Sequence, residues 1–233
     1  MRKQLSYTWL TTLLMVLYLV NRYKACKYRV PITYLILAQA IYSFIVIQYW
    51  VPDSFLGQYQ KYYLPIFILS IVVLVSMFFV PINSYLQTLL FTIFIILLAL
   101  SFNPLYRLSK HNSVILPCLI TVIMMFIILS IIAYHNISLI NLKWSSMLLF
   151  GLISIILLRV SFIWFTPSRG LLKVMSYIGI VLFSFFILYD TKKMVVRANQ
   201  CDIKYNYLQN VISLFLDFIN LLSETLSLSN MRK

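Results

Sequence analysis

The sequence predicts an all-α polytopic membrane helix bundle, and three observations predict it. Apolar residues make up 62% of the 233 positions and charged residues only 10%, against roughly 25% charged in a soluble domain. Apolar runs of about 17 to 24 residues recur along the whole chain, the length needed to cross ~30 Å of hydrocarbon. Lys, Arg, Pro and polar residues fall mostly in the short gaps between those runs.

The apolar runs lie near 5–20, 31–51, 62–80, 83–101, 114–134, 144–165, 171–190 and 205–228. The first is short for a span, and the last carries too many polar residues to face lipid all round. The expected architecture is therefore six transmembrane helices, a C-terminal seventh that spans or re-enters, and an extra N-terminal hydrophobic segment. Arg2 and Lys3 precede Leu10 to Val20, but Asn21, Arg22, Tyr23 and Lys24 follow it, and that basic flank favours a retained helix or signal anchor over a cleaved signal. Gaps this short force neighbouring helices to run antiparallel. Residues 1–30 then form a hydrophobic segment with a basic loop, and 31–233 form the transmembrane domain.

The formal charge of +14 sits in membrane-flanking gaps, so the lipid bilayer is the expected partner and nucleic acid is not. Arg22, Lys24, Lys27 and Arg29 fill one gap and Lys192, Lys193, Arg197 and Lys204 another. Six runs separate these gaps, an even number, so both lie on one side, which positive charge marks as cytosolic. Lys61, Arg107, Lys110, Arg169 and Lys173 are left for the opposite side. This topology puts the sequon Asn136-Ile137-Ser138 in the cytosol, where it stays unmodified; a glycosidase-sensitive gel shift would reverse the orientation. Cys26, Cys118 and Cys201 are too few and scattered for a disulfide framework or a zinc site, and are expected to be small packing residues.

With five acidic residues in all, those inside apolar runs are informative. Asp190 ends the run from Tyr177 to Tyr189, and Asp217 lies within Val211 to Leu222. A carboxylate in hydrocarbon costs ~2.5–3.5 kcal/mol on the lenient insertion scale, so it usually faces a partner or water. In the last run Asn206, Asn210, Ser213, Asp217, Asn220, Glu224 and Ser227 recur every three or four residues, one stripe on a helix. The stripe belongs either to an amphipathic helix lying at the interface or to a helix lining a polar cavity. If the turn centres near residue 200, Asp190 is about 10 residues from it and Asp217 about 17, a mismatch of roughly 9–10 Å. An irregular connector would remove that offset.

Tyr189-Asp190-Thr191 resembles the "(L/Y)DT" motif of the Bax-inhibitor/Lifeguard family, and Leu214-Phe215-Leu216-Asp217-Phe218-Ile219-Asn220 resembles its "LYLDIIN" motif. The 27-residue separation of the aspartates agrees with Lifeguard-type members, and Tyr207 falls where they carry a tyrosine. Pro81-Ile82-Asn83, followed by Phe91-Thr92, resembles their "PxN...FT" pattern. The N-terminal hydrophobic segment has no counterpart among these motifs. The resemblance implies a proton-sharing pair, Asp190 and Asp217, gating a pH-sensitive Ca²⁺ leak in endoplasmic reticulum or Golgi membranes and restraining cell death. It implies no cofactor, only Ca²⁺ as transported ion, with Asp190 and Asp217 the residues that would meet it. Two adjacent carboxylates cannot both ionise cheaply, so they hold a proton between them; its loss would repel the helices and bare hard oxygen ligands.

The family's arginine before "PxN" is replaced by Phe78, Phe79 and Val80, and its acidic residues before the tyrosine by Tyr205 and Asn206. Arg159 lies in the otherwise apolar stretch Ile155 to Phe162. By depth it reaches Asp217 more readily than Asp190, and it is expected either to be the counter-ion of Asp217 or to snorkel to the opposite interface. The pairing predicts that Arg159→Leu lowers folded yield and that adding Asp217→Asn restores it. Catalysis is not expected, since His111 and His135 are isolated and no H-E-x-x-H, G-x-S-x-G or phosphate-cradling glycine loop occurs. The competing function is a non-conducting protein that binds other membrane regulators of cell death.

Overall fold

The computed structural model describes residues 14, 15, 18, 26–51, 63–136, 141–162, 167–201 and 205–231. From residue 26 onward the described residues form these α-helices in order: α1 Arg29–Trp50, α2 Tyr63–Ser76, α3 Tyr85–His111, α4 Ile115–His135, α5 Ser145–Ser161, α6 Arg169–Asn199 and α7 Tyr207–Asn230. Short 3-10 turns, Cys26–Tyr28 and Leu142–Trp144, lead into α1 and α5. The expected segment 5–20 lies almost wholly outside the described residues, as do Ile137 and Ser138 of the sequon.

Among the described residues five helices are long and apolar enough to cross a membrane: Cys26–Trp50 with its 3-10 turn, α3, α4, α6 and α7. Beside them, α2 and α5 contribute 14 and 17 described residues as shorter apolar helices, in keeping with a polytopic helix bundle. The last helix is one unbroken α-helix of 24 residues, with no re-entrant break, and is long enough to span. It is not a helix lying at an interface, because Leu208, Val211, Leu214, Phe215, Phe218, Leu221 and Leu226 are all buried.

The surface has the character of a lipid-facing one. On α4, Leu116, Ile120, Met124, Ile127 and Ile131 form an exposed stripe, while Cys118, Val122, Phe126, Ser130 and Ala133 form the buried one. Both stripes are apolar, and the inner one has the smaller and more polar residues. That is the pattern of helices associating in lipid, where packing and hydrogen bonds, not water exclusion, choose the inner face.

The chain divides into two compact units. The first comprises Met1–Tyr106 and Arg197–Phe215, the second Arg107–Val196 and Leu216–Lys233. In the first, Phe44 packs edge-on against Phe102 and Phe215, and Phe94 against Phe215. The buried amides Gln48 and Asn103 hydrogen-bond each other, and Gln48 also donates to the Ala99 carbonyl. In the second, Phe126 packs on Phe218, and Asn230 bonds Ser109 and Asn112, fixing the end of α7.

Two of the three expected packing cysteines are something else. Cys26 and Cys201 form a disulfide, with Cα atoms 5.3 Å apart, while Cys118 is a buried free thiol bonded to Ser229. The spacing of 175 residues hid the pair, because only the folded chain brings the loop before α1 to the loop after α6. Alkylation of the denatured, unreduced protein is expected to label one cysteine and, after reduction, three, read by intact mass. Labelling of all three without reduction would contradict the bridge.

Candidate functional site

The "PxN" residues build the entrance to α7 in the first unit. Asn83 adopts φ 56°, a left-handed conformation that asparagine tolerates better than most residues. Its backbone N–H donates to Gln87 Oε1 at 2.8 Å, and Ser84 Oγ accepts from the Gln87 N–H at 3.1 Å. This Ser-x-x-Gln arrangement, akin to a capping box, starts α3. The Asn83 side chain then holds the chain ahead of α7: Nδ2 donates to the Tyr205 carbonyl at 3.0 Å, and Oδ1 accepts from the Tyr207 N–H at 3.3 Å. Asn206 caps α7 by accepting from the Gln209 N–H.

Tyr205 stands where the family pattern has an acidic residue, and it fills that place with a network. Its hydroxyl lies 3.0 Å from Thr33 Oγ1, its ring faces Tyr207 edge-on, and the buried Arg29 guanidinium sits 5.0 Å from its ring centre, within cation–π range. Burial pushes the Tyr205 phenol above its ordinary value of 10.0, opposed by hydrogen bonds from Thr33 and Asn210 and by Arg29. A phenol that resists ionisation in the fold contributes stability that is complete below pH about 10 and is lost as pH rises beyond it. Tyr205→Phe should cost about 1 kcal/mol at pH 8 through the lost hydroxyl bonds. It should also flatten the alkaline decline in melting temperature between pH 9 and 11.

The two aspartates meet in the second unit. Asp217 is buried, and its carboxyl is in side-chain hydrogen-bond contact with Asp190. The offset expected from a turn at 200 disappears because α6 ends at Asn199 and α7 begins only at Tyr207. Asp190 is nine residues from its helix end and Asp217 ten from its helix start, so the two are level within about 1.5 Å. A hydrogen bond between carboxyl groups requires a proton on one of them, since an ionised carboxylate only accepts. Among the described residues Asp217 Oδ2 has no hydrogen-bond partner.

Arg159 does not meet Asp217. Its Nη2 engages both carboxylate oxygens of Glu224, a residue that the sequence had marked only as part of the polar stripe. Depth allows this pairing. Arg159 lies 14 residues into α5, about 21 Å, while Asp217 lies 10 and Glu224 17 residues into α7, about 15 and 26 Å. The run that starts at 205 becomes helical only at Tyr207, which makes Asp217 about 3 Å shallower. The arginine also sits in the last turn of α5, where a cation is favoured by the helix dipole.

Glu224 is further bonded by the Ser176 hydroxyl and lies hard against Gly179. A Cβ at position 179 would stand 2.7 Å from Glu224 Cδ and 2.9 Å from Cγ. Ser176, Gly179 and Asp190 are thus α6 positions that meet α7. Of the other stripe residues, Asn210 is buried and donates to the Asn206 carbonyl, while Ser213 and Asn220 are half-buried. Asn210, Asp217 and Glu224 fall seven residues apart, nearly one line along the helix. That spacing was the available signal that Glu224 belongs with the aspartates. Nothing in the sequence marked Gly179. Among the described residues no three His, Cys, Asp or Glu side chains gather as a metal cluster.

The chain matches the family described as "Inhibitor of apoptosis-promoting Bax1" over residues 5–233, a match that takes in the N-terminal hydrophobic segment lacking the motifs. It is similar to the "Inner membrane protein YbhL" of Escherichia coli strain K12, 27% identical over 160 residues that cover 66% of this chain and 67% of that protein. The same-named protein of Escherichia coli O6:H1 strain CFT073 has the same identity and coverage. Buried apolar-run helices, the adjoining Asp190 and Asp217, and a family match over nearly the whole length lead to one conclusion: this chain is an integral multi-pass membrane protein and belongs to the Bax inhibitor family.

Proposed function

We propose that this protein is a pH-sensitive Ca²⁺ leak of an intracellular membrane, endoplasmic reticulum or Golgi, that restrains apoptosis by limiting stored Ca²⁺. The observation that carries the reading is the hydrogen-bonded contact of Asp190 with the buried Asp217. A shared proton ties α6 to α7; removing it sets two like charges side by side and drives the helices apart. The same step bares carboxylate oxygens, the ligands that Ca²⁺ prefers. Ca²⁺ is the cargo, and the site does no covalent chemistry.

The purified chain reconstituted in liposomes with an entrapped Ca²⁺ dye is expected to leak faster at pH 8 than at pH 6. Asp190→Asn and Asp217→Asn should each abolish that pH response, because an amide replaces the proton-sharing carboxyl. Flux that is absent in the unaltered chain at both pH values favours the second reading, a non-conducting protein acting on other membrane regulators of cell death. The formal charge of +14 with five acidic residues speaks for that alternative, since a cation path favours acidic lining.

A further inference from the structure

We propose that Arg159 is a tethered cation that closes the end of the polar stripe away from the aspartates, and that Glu224 is a second cation-binding acid which it covers. The inference rests on the leak reading above and adds a gate in series with the aspartate pair. Glu224 lies two turns beyond Asp217 on the same line of α7, about 10.5 Å along the axis, and six residues before the helix ends. A cation released from the aspartates toward that end meets Glu224 next.

The pocket around Glu224 is built for a carboxylate. Gly179 has no side chain where a Cβ would strike Cδ and Cγ of Glu224, so the acid lies flat against α6. Ser176 bonds it from the same helix, and Arg159 Nη2 takes both of its oxygens. With the guanidinium in place the oxygens that a cation would use are occupied.

The two partners are unequal in freedom. The Glu224 side chain is 5% exposed and the Arg159 side chain 43%. Arg159 also stands in the last turn of α5, from where a long aliphatic stem can carry its head group to the interface. Arg159 is therefore the part that moves and Glu224 the part that stays. Swung out, the arginine leaves a bare acid for the cargo; swung in, it is a fixed positive charge that repels any cation arriving from the aspartates.

The test uses the full chain in phosphatidylcholine vesicles with an entrapped Ca²⁺ dye, each variant checked for monodisperse elution. Arg159→Gln should raise Ca²⁺ entry at least about tenfold, because a unit charge in a low-dielectric path is a barrier of that size or larger, while Arg159→Lys stays near the original rate. Glu224→Gln should slow entry below the original rate, since it leaves the positive charge without its acid. Entry unchanged or slower in Arg159→Gln overturns the gate. If that variant does not fold, Arg159→Gln with Glu224→Gln keeps the readout: entry faster than in Glu224→Gln alone supports the gate, and equal or slower entry overturns it. Adding Asp217→Asn separates the two readings. Unchanged flux in Arg159→Gln with an original leak that needs Asp217 sinks the gate alone; accelerated flux that ignores Asp217→Asn sinks the aspartate reading alone; silence in every variant sinks both.

Discussion

Replacing Arg159 with leucine should destabilise the folded protein by about 3 kcal/mol, the low end of what is lost when one partner of a buried ion pair is removed. The low end applies because Arg159 is itself well exposed, whereas Glu224 is not. The loss comes from the survivor: Glu224 keeps Ser176 but loses the guanidinium that engages both of its oxygens. Adding Glu224→Gln should restore most of the stability, because a neutral amide carries no charge to compensate. Asp217→Asn should restore none of it, since Asp217 faces Asp190 and not Arg159. Melting temperatures in detergent for the two double variants, set against the singles, give the coupling directly. Equal rescue by Asp217→Asn would make Asp217 the partner of Arg159.

Gly179→Ala should cost about 2 kcal/mol, within the range for overpacking, and it should do so against the local trend. Alanine in the middle of a helix is ordinarily better than glycine by about 0.5–1 kcal/mol. Here the added methyl would stand 2.7 Å from Glu224 Cδ and 3.0 Å from Oε1, and the carboxylate it strikes is pinned by Arg159 and cannot swing clear. The sign is therefore conditional. In a Glu224→Ala background the three atoms nearest the methyl, all from Glu224, are gone, and Gly179→Ala should become stabilising by about 0.5–1 kcal/mol. Thermal unfolding of the four members of this cycle reads both signs. A destabilising effect of the same size in both backgrounds would show that Gly179 is required for some contact other than Glu224.

The helical membrane class was legible in the sequence because it depends on composition and run length, which lipid imposes locally on each segment. The meeting of Asp190 and Asp217 was legible only as an allowance. Its obstacle, an offset of roughly 9–10 Å, rested on a tight turn at 200, whereas α6 ends at Asn199 and α7 starts at Tyr207, which sets the two aspartates level. Arg159 was recognised as needing a partner, but the choice between Asp217 and Glu224 turned on where α7 starts, a matter of two residues. Helix ends are the least readable feature of a sequence, and a shift of two residues moves a side chain by about 3 Å, enough to change which acid it meets.

Pairings distant in the chain were beyond reach. Cys26 with Cys201, Thr33 with Tyr205 and Asn83 with the entry to α7 join residues more than 120 positions apart, and no periodicity reports such neighbours. Hydrophobicity cannot help either, because in lipid the inner and outer faces of a helix such as α4 are both apolar.

The sequence by itself determined the solvent, the number and order of the helices from residue 31 onward, and the few acids and single arginine that lipid makes costly to keep. The tertiary structure alone decided which of them touch: Asp190 with Asp217, Arg159 with Glu224, and Glu224 with the empty side of Gly179. The physical reason is one of range. Burial in lipid acts on each residue separately and leaves its mark in composition, whereas an ion pair or hydrogen bond is made within a few ångströms, a distance set by helix ends, connector shape and the absence of one methyl group.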